Sequence, residues 1–362
     1  MIRKTLMAAA LGAASLVAHA GNPLFKDIFT ADPFALVDNG RVYLYVGKDD
    51  TPEGGKDYVM KEWRVYSSCD MVNWQSHGSP LDVKAFAWAK KDAWAGDIAK
   101  VGGKYYIYAP VEHATIPGKS IGVAVSDSPT GPFKDARGSA LITNDMTKQV
   151  SISWDDIDPG VFVDDDGQAY LYWGNQVLKW AKLKRNMIEL DGPINVVPME
   201  RFTEAPYLHK HKGTYYLTWS RDFPEETVYA TGPSATGPWT QHGVIMDKNR
   251  VVKTIHQAII DFNGKSYIFY HNDKLPTGGE YRRSVAVEEL HYNADGTIKH
   301  VPQTEKGRPR IRVRPAVDDI IREWTHLTRT GFFAPDSKPA SCSCSSPSMS
   351  NAISIVPPKR CT

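Results

Sequence analysis

The chain has 362 residues, with 43 Lys and Arg against 41 Asp and Glu and a formal net charge of +2. Basic residues are dispersed until residue 306, which argues against nucleic acid as a partner. Beyond the first twenty residues no apolar run approaches the ~18 residues of a membrane span, so a membrane is not expected as a partner either.

The first twenty residues read as a signal peptide. Arg3 and Lys4 form a positive start, "TLMAAALGAASLVA" is a short apolar stretch, and Ala18-His19-Ala20 fits the small-x-small cleavage rule. Cleavage near Ala20 predicts a secreted or periplasmic protein. Of the four cysteines, Cys69 stands alone and Cys342, Cys344 and Cys361 fall in a Ser-rich tail. That spacing is neither a disulfide framework nor a zinc pattern.

From residue 21 one pattern recurs five times, a Gly followed two residues later by an aromatic strand. The copies are "GRVYLYVG" from Gly40, "GKYYIYAP" from Gly103, "GQAYLYWG" from Gly167, "GTYYLTWS" from Gly213 and "GKSYIFYH" from Gly264. A short apolar strand precedes each, so the unit is a hairpin repeated every 46 to 64 residues. Further strand-like runs such as "WRVYSS", "IGVAVSD" and "TVYATGP" fill the intervals. About four strands per unit and five units describe an all-β chain folded as a five-bladed β-propeller. The fifth blade needs an outer strand, and the sequence after residue 305 supplies none that is recognisable. "EKGRPRIRVRPAVDDIIREWTHLTRTGFF" is basic and breaks the alternation. The expected layout is a propeller over 21–325 and a Ser/Pro-rich, disordered tail over 326–362.

In a propeller the first strand of each blade lines the central channel. The residues just ahead of those strands are Asp32, Asp97, Asp158, Glu204 and His256, each six to nine residues before its repeat Gly. Any one of them alone reads as a turn-forming group. At one phase in five repeats they are expected to converge on the axis. Clustered carboxylates push their pKa values apart, which suits an acid and base pair for glycoside hydrolysis. Asp164-Asp165-Asp166-Gly167 lacks the ligand series of a calcium loop and reads as a hairpin turn.

Three segments carry a family resemblance: "TADP" at 30–33, "DIDPGVFVDDDGQAYLYWGN" at 156–175 and "FTEAPYLHKHKGTYYLTWS" at 202–220. Together and in that order they resemble the signature regions of glycoside hydrolase family 43, five-bladed propeller enzymes acting on arabinose- and xylose-containing polysaccharides. The resemblance runs from about Asn22 to about Gln303. It implies Asp32 as general base, Asp158 as the residue that orients the acid and tunes its pKa, and Glu204 as general acid. It further implies substrate-binding positions at Trp94, Asp97, His256 and Arg283. Arg283 is expected beside Asp158, with Arg282 facing away by strand alternation.

The resemblance implies no required cofactor, and it allows a structural calcium ion with His256 as its neighbour. The reaction implied is inversion, with the base and acid carboxyls roughly 6.5–9.5 Å apart. The expected substrates are plant cell-wall saccharides: arabinoxylan, xylan or arabinan. Removal of terminal α-L-arabinofuranosyl residues is favoured over β-xylosidase action, with endo-arabinanase activity as a further alternative. A non-catalytic carbohydrate-binding propeller is the rival of another class, and it would not need all three acids.

Overall fold

The computed structural model describes residues 21–307 and the strand Leu16–Ala18. The rest of the expected signal peptide, the boundary at 325, the Ser/Pro-rich stretch and the three tail cysteines lie outside the described residues.

Five antiparallel sheets follow one another along the chain as the five blades of a propeller. Blade one is Thr30–Asp38, Arg41–Asp49, Met60–Ser68 and Asn73–Ser76. The strand Leu16–Ala18, inside the expected leader, pairs with the last of these. Blade two is built on Asp97–Val101, Lys104–His113, Lys119–Ser126 and the two-residue strand Lys134–Asp135. Blade three is Gly160–Val163, Ala169–Trp173, Leu178–Leu183 and Asn195–Val197. Blade four is Phe202–His211, Thr214–Arg221, Glu226–Gly232 and Thr240–Met246. Blade five has three strands: Ala258–Phe262, Lys265–Asn272 and Ser284–Leu290.

The repeat glycine has a backbone cause. Gly40, Gly103, Gly167, Gly213 and Gly264 all turn the first hairpin of their blade at φ between +69° and +84°. A side chain there would be strained. The acidic turn before Gly167 is a surface hairpin as expected, with Asp164 accepting from Lys210 Nζ at 3.0 Å and from the Tyr215 hydroxyl at 2.6 Å.

The outer edge of blade five is closed by the start of the chain. The Leu24 N–H donates to the Val285 carbonyl at 2.8 Å, and Thr30 N–H to the Arg283 carbonyl at 2.9 Å. Val287 N–H donates to Asn22 Oδ1 at 2.9 Å, while Asn22 N–H reaches the Glu305 carbonyl. The described residues thus join first and last blades through backbone pairing.

The core lies between blades. Phe34, Trp63 and Ile107 belong to one buried cluster shared by blades one and two, and Leu171, Trp173 and Val123 to one shared by blades two and three. Similar clusters join three to four, four to five, and five to one. Trp63, Trp74, Trp173 and Trp219 are wholly buried there. Much of the tryptophan content is therefore core, and only particular rings are left for a ligand.

Candidate active site

Three Xaa-Pro steps place the acids. Asp32 precedes Pro33, Asp158 precedes Pro159, and Ala205, next to Glu204, precedes Pro206. Asp32, Asp158 and Ala205 have left-handed backbone at φ +50°, +56° and +56°. Proline excludes the right-handed helical conformation for the residue before it, and Asp tolerates positive φ better than most residues. Register shifts between Ala31 and Phe34 and between Glu204 and Tyr207 mark bulges in the inner strands of blades one and four. Bulges re-aim side chains, here toward the channel mouth. Gly160 is required by close approach, since a Cβ there would lie 2.3 Å from the Pro206 carbonyl oxygen of blade four. That closeness lets Asp158 Oδ2 accept the Ala205 N–H at 3.0 Å, fixing blade three's acid against blade four's.

Asp32, Asp158, Glu204, His256, Arg283 and Trp94 line one pocket of about 790 Å³. Asp32 is buried, its Oδ1 2.9 Å from Arg283 Nη1 and 3.3 Å from His271 Nδ1. The Asp32 N–H donates to His271 Nδ1 at 3.2 Å, and His271 Nε2 donates to the Thr254 carbonyl at 3.0 Å, which assigns the ring its neutral Nε2–H tautomer. Burial alone would raise the pKa of Asp32. The Arg283 guanidinium, with His256, outweighs burial and holds it well below the usual carboxylate range.

Glu204 is half-buried and accepts from Asn175 Nδ2 at 2.7 Å. Burial, and after it the Asp158 carboxylate, push it up to about 8 against the opposing Asn175 bond. One pocket therefore holds one carboxyl kept ionised and another kept protonated at neutral pH.

Two expected contacts differ in the structure. Arg283 was expected beside Asp158, but it serves Asp32 and Asp49. Its Nε and Nη2 grip Asp49 Oδ2 and Oδ1 at 3.0 and 2.9 Å, its backbone N–H donates to Asp49 Oδ2 at 2.8 Å, and Nη1 is left for Asp32. The planar fork satisfies both carboxylates at once. Asp158 has His256 instead, with Nδ1 3.6 Å from Oδ2. Burial opposes the charge on His256, yet Asp158, Asp32 and Glu204 prevail and raise its pKa. Arg282 does face away, reaching the Thr51 carbonyl and lying over the Phe29 ring.

Asp97 is the second difference. It does not line the pocket. Its side chain is buried, with Oδ1 accepting from its neighbour Ile98 N–H at 2.8 Å and Oδ2 from Val161 N–H at 2.8 Å. It ties blade two to blade three, and burial raises its pKa to about 7. Both oxygens are occupied, so it is a strut rather than a substrate contact.

Trp94 lines the pocket with the Lys119 ammonium 3.6 Å from its ring centroid. Its Nε1–H is buried without a hydrogen-bond partner among the described residues, a donor available to a sugar hydroxyl. Trp154 and Phe223 stand at the rim, 45% and 61% exposed.

The family model "Glycosyl hydrolases family 43" matches residues 20–298. The chain belongs to glycosyl hydrolase family 43. A xylosidase/arabinosidase of Bacteroides ovatus is 33% identical over 318 residues, covering 75% of this chain and 94% of that protein. A family-43 β-xylosidase/α-arabinofuranosidase from a compost microbial metagenome, solved with xylotriose in a calcium-free form, superposes with a TM-score of 0.71. It is 33% identical and covers 80% of this chain and 99% of its own. An α-L-arabinofuranosidase from Clostridium thermocellum is 38% identical, with a TM-score of 0.65, covering 78% and 96%.

In this family-43 glycoside hydrolase the sequence reading did not pick out Asn175, His271, Tyr58 and Glu225, which line the pocket, or Asp49, which holds Arg283. His271 had a signal in the repeat itself. The eighth position of the five copies is Gly47, Pro110, Gly174, Ser220 and His271, and only the last is ionisable. Tyr58 donates its hydroxyl to Glu280 Oε1 at 2.8 Å and lays its ring against the Arg283 guanidinium, 4.8 Å away.

Calcium takes six to eight oxygen ligands. Among the described residues no group of three or more His, Cys, Asp and Glu side chains is arranged to hold a metal. The ring of His256 is directed at Asp158, so these residues do not by themselves fit calcium.

Proposed function

We propose that this enzyme removes terminal α-L-arabinofuranosyl or β-D-xylosyl residues from xylan-derived saccharides, by a single displacement with inversion, and that it works after export. The observation that carries the reading is the opposed protonation of two carboxyls in one pocket. Asp32, held ionised by Arg283, takes a proton from water. Glu204, held protonated by burial and Asp158, gives its proton to the glycosidic oxygen as the bond to the anomeric carbon breaks. Asp158 keeps its place through the Ala205 amide and His256.

The sugar class rests on the relatives, several of which are named for both xylosidase and arabinosidase activity. The exposed rings of Trp154 and Phe223 support an oligosaccharide leaving group, since aromatic faces stack on apolar sugar faces. No step calls on a cofactor. A calcium ion near His256 would draw most of its oxygens from water and leave the proton transfers to Asp32 and Glu204. The deciding assay is release from paired aryl α-L-arabinofuranoside and β-D-xyloside. Hydrolysis of either is the expected result, and no hydrolysis of both would remove the proposed sugar class.

A further inference from the structure

We propose that Lys119 is a positioning residue for the sugar whose bond is broken: its buried ammonium pins the indole of Trp94 as the pocket wall on the side of Asp32. The inference rests on the reading of the pocket as a glycosidase site.

Trp94 follows a tight turn. Asp92 has left-handed backbone at φ +69°, the Ala93 N–H donates to the Met60 carbonyl at 2.9 Å, and the Trp94 carbonyl accepts the Trp63 Nε1–H at 2.8 Å. Blade one therefore fixes the backbone of Trp94. The direction of its ring is left to the side-chain torsions and to what packs on them.

Lys119 supplies that contact from blade two. It opens the strand Lys119–Ser126, is buried, and places Nζ 3.6 Å from the Trp94 ring centroid. Its carboxylate partner is Asp92, two residues before Trp94. The ammonium is thus held between a carboxylate and an indole that belong to one turn. Lys119 does not line the pocket, whereas Trp94 does. The ring stands between the cation and the space open to a sugar.

A buried ion pair is weak support for a fold, because apolar side chains of similar volume often do as well. A cation over an indole face is directional, and a ring that turned away would forfeit an attraction strengthened by burial. The arrangement suits the holding of one ring in one orientation.

On the pocket side Trp94 meets Tyr58 edge to face, with centroids 6.4 Å apart, and the Tyr58 ring lies 4.8 Å from the Arg283 guanidinium that binds Asp32. In an inverting displacement the base stands across the reacting sugar from the leaving group. Trp94 is accordingly a wall of the sugar being released, and the exposed Trp154 belongs to the leaving-group side. Lys119 reaches that side through its backbone alone, since its N–H donates to the Ser153 carbonyl at 2.7 Å, next to Trp154. A side-chain substitution keeps that bond, so the two tryptophans can be told apart by experiment.

The test uses Lys119→Met, which keeps an unbranched side chain and removes the charge, on an aryl glycoside and on a xylo-oligosaccharide. Asp92 would still have the exposed Lys91 at 3.6 Å. KM should rise about fivefold on both substrates with kcat within about twofold of the wild type, the pattern of a contact made equally in ground and transition states. In a Trp94→Ala background K119M should add nothing further, since the ring it positions is gone. The double variant D92N/K119M removes both charges. It should melt higher than K119M and keep the raised KM. An unchanged KM in K119M, a rise confined to the oligosaccharide, an equal rise with and without Trp94, or a KM restored in D92N/K119M would each overturn the proposal. A wild type that hydrolyses neither aryl glycoside would remove the proposed sugar class and this inference with it. Wild-type turnover with a silent K119M would remove the inference alone.

Discussion

Arg283 donates Nη1–H to Asp32 Oδ1 at 2.9 Å across 251 residues of sequence. Blade five thereby sets the charge of a carboxylate in blade one. Asp49 holds the guanidinium so that this one donor remains for Asp32. The contact makes the propeller's closure part of its chemistry.

Replacing Arg283 with Lys should test that link. A single ammonium cannot serve the three acceptor positions of the fork. Asp32, now depressed in pKa, should return toward the ordinary carboxylate range, so the acidic limb of kcat/KM should move upward. The depressed group stabilises the fold above its unfolded pKa, and that contribution is lost as pH falls through the folded value. Stability of the wild type should therefore decline at strongly acid pH. Removing the cation altogether, as in Arg283→Ala, should cost about 3–5 kcal/mol, because two buried carboxylates lose their partner. Thermal melts of the two variants across acid pH check both statements.

Glu204→Gln should abolish turnover of substrates with poor leaving groups and spare activated aryl glycosides to a large extent, because the latter need little protonation. Parallel kinetics on the two substrate types separate an acid from a merely structural residue.

The same variant carries a stability prediction of the opposite kind. Glu204 is raised to about 8 and Asp97 to about 7. A raised carboxyl favours the folded state fully below its unfolded pKa near 4, and that contribution is lost as pH rises through the folded value. Wild-type stability should fall between about pH 4 and pH 8 on this account. Glu204→Gln escapes the ionisation, so its Tm should exceed that of the wild type at pH 9 and the gap should shrink at pH 5. The difference is on the order of 1–3 kcal/mol at most, given partial exposure of the group. An equal offset at both pH values would contradict the raised pKa.

Much of this arrangement was legible in the sequence, and the reasons are local. The repeat Gly shows because each hairpin needs positive φ, and the acids show because an Xaa-Pro step marks the entry to the inner strand. What could not be read was long-range pairing. Arg283 was expected beside Asp158, but its partners lie at the opposite end of the chain, brought near only when blade five closes on blade one. Asp97 shared the phase of the other acids, yet two backbone amides claim its carboxylate. Glu225 lines the pocket while the adjacent Glu226 pairs with Arg221, and only the direction of the strand that follows distinguishes them. The closing edge, sought after residue 305, comes from Asn22–Thr30 through an asparagine side chain and backbone amides that have no hydrophobic signature.

Trp154 is anchored beside a buried knot in which Lys179 Nζ lies 3.1 Å from Asp155 Oδ2 and 3.3 Å from Asp156 Oδ1. The loop should hold its shape when the indole is removed. Trp154→Ala is expected to raise KM for xylo- or arabinoxylo-oligosaccharides by roughly tenfold, a loss of about 1–2 kcal/mol of contact. KM for a small aryl glycoside should change little. Equal effects on both would place Trp154 in the reacting subsite instead of at the rim.

The central claim is that Asp32 activates water while Glu204 protonates the leaving oxygen, with no covalent sugar on the enzyme. Proton NMR during the first minutes of hydrolysis reads the anomeric configuration of the released sugar before mutarotation. The account predicts the inverted anomer as first product. A retained anomer, or a glycosyl ester trapped on Asp32, would contradict it.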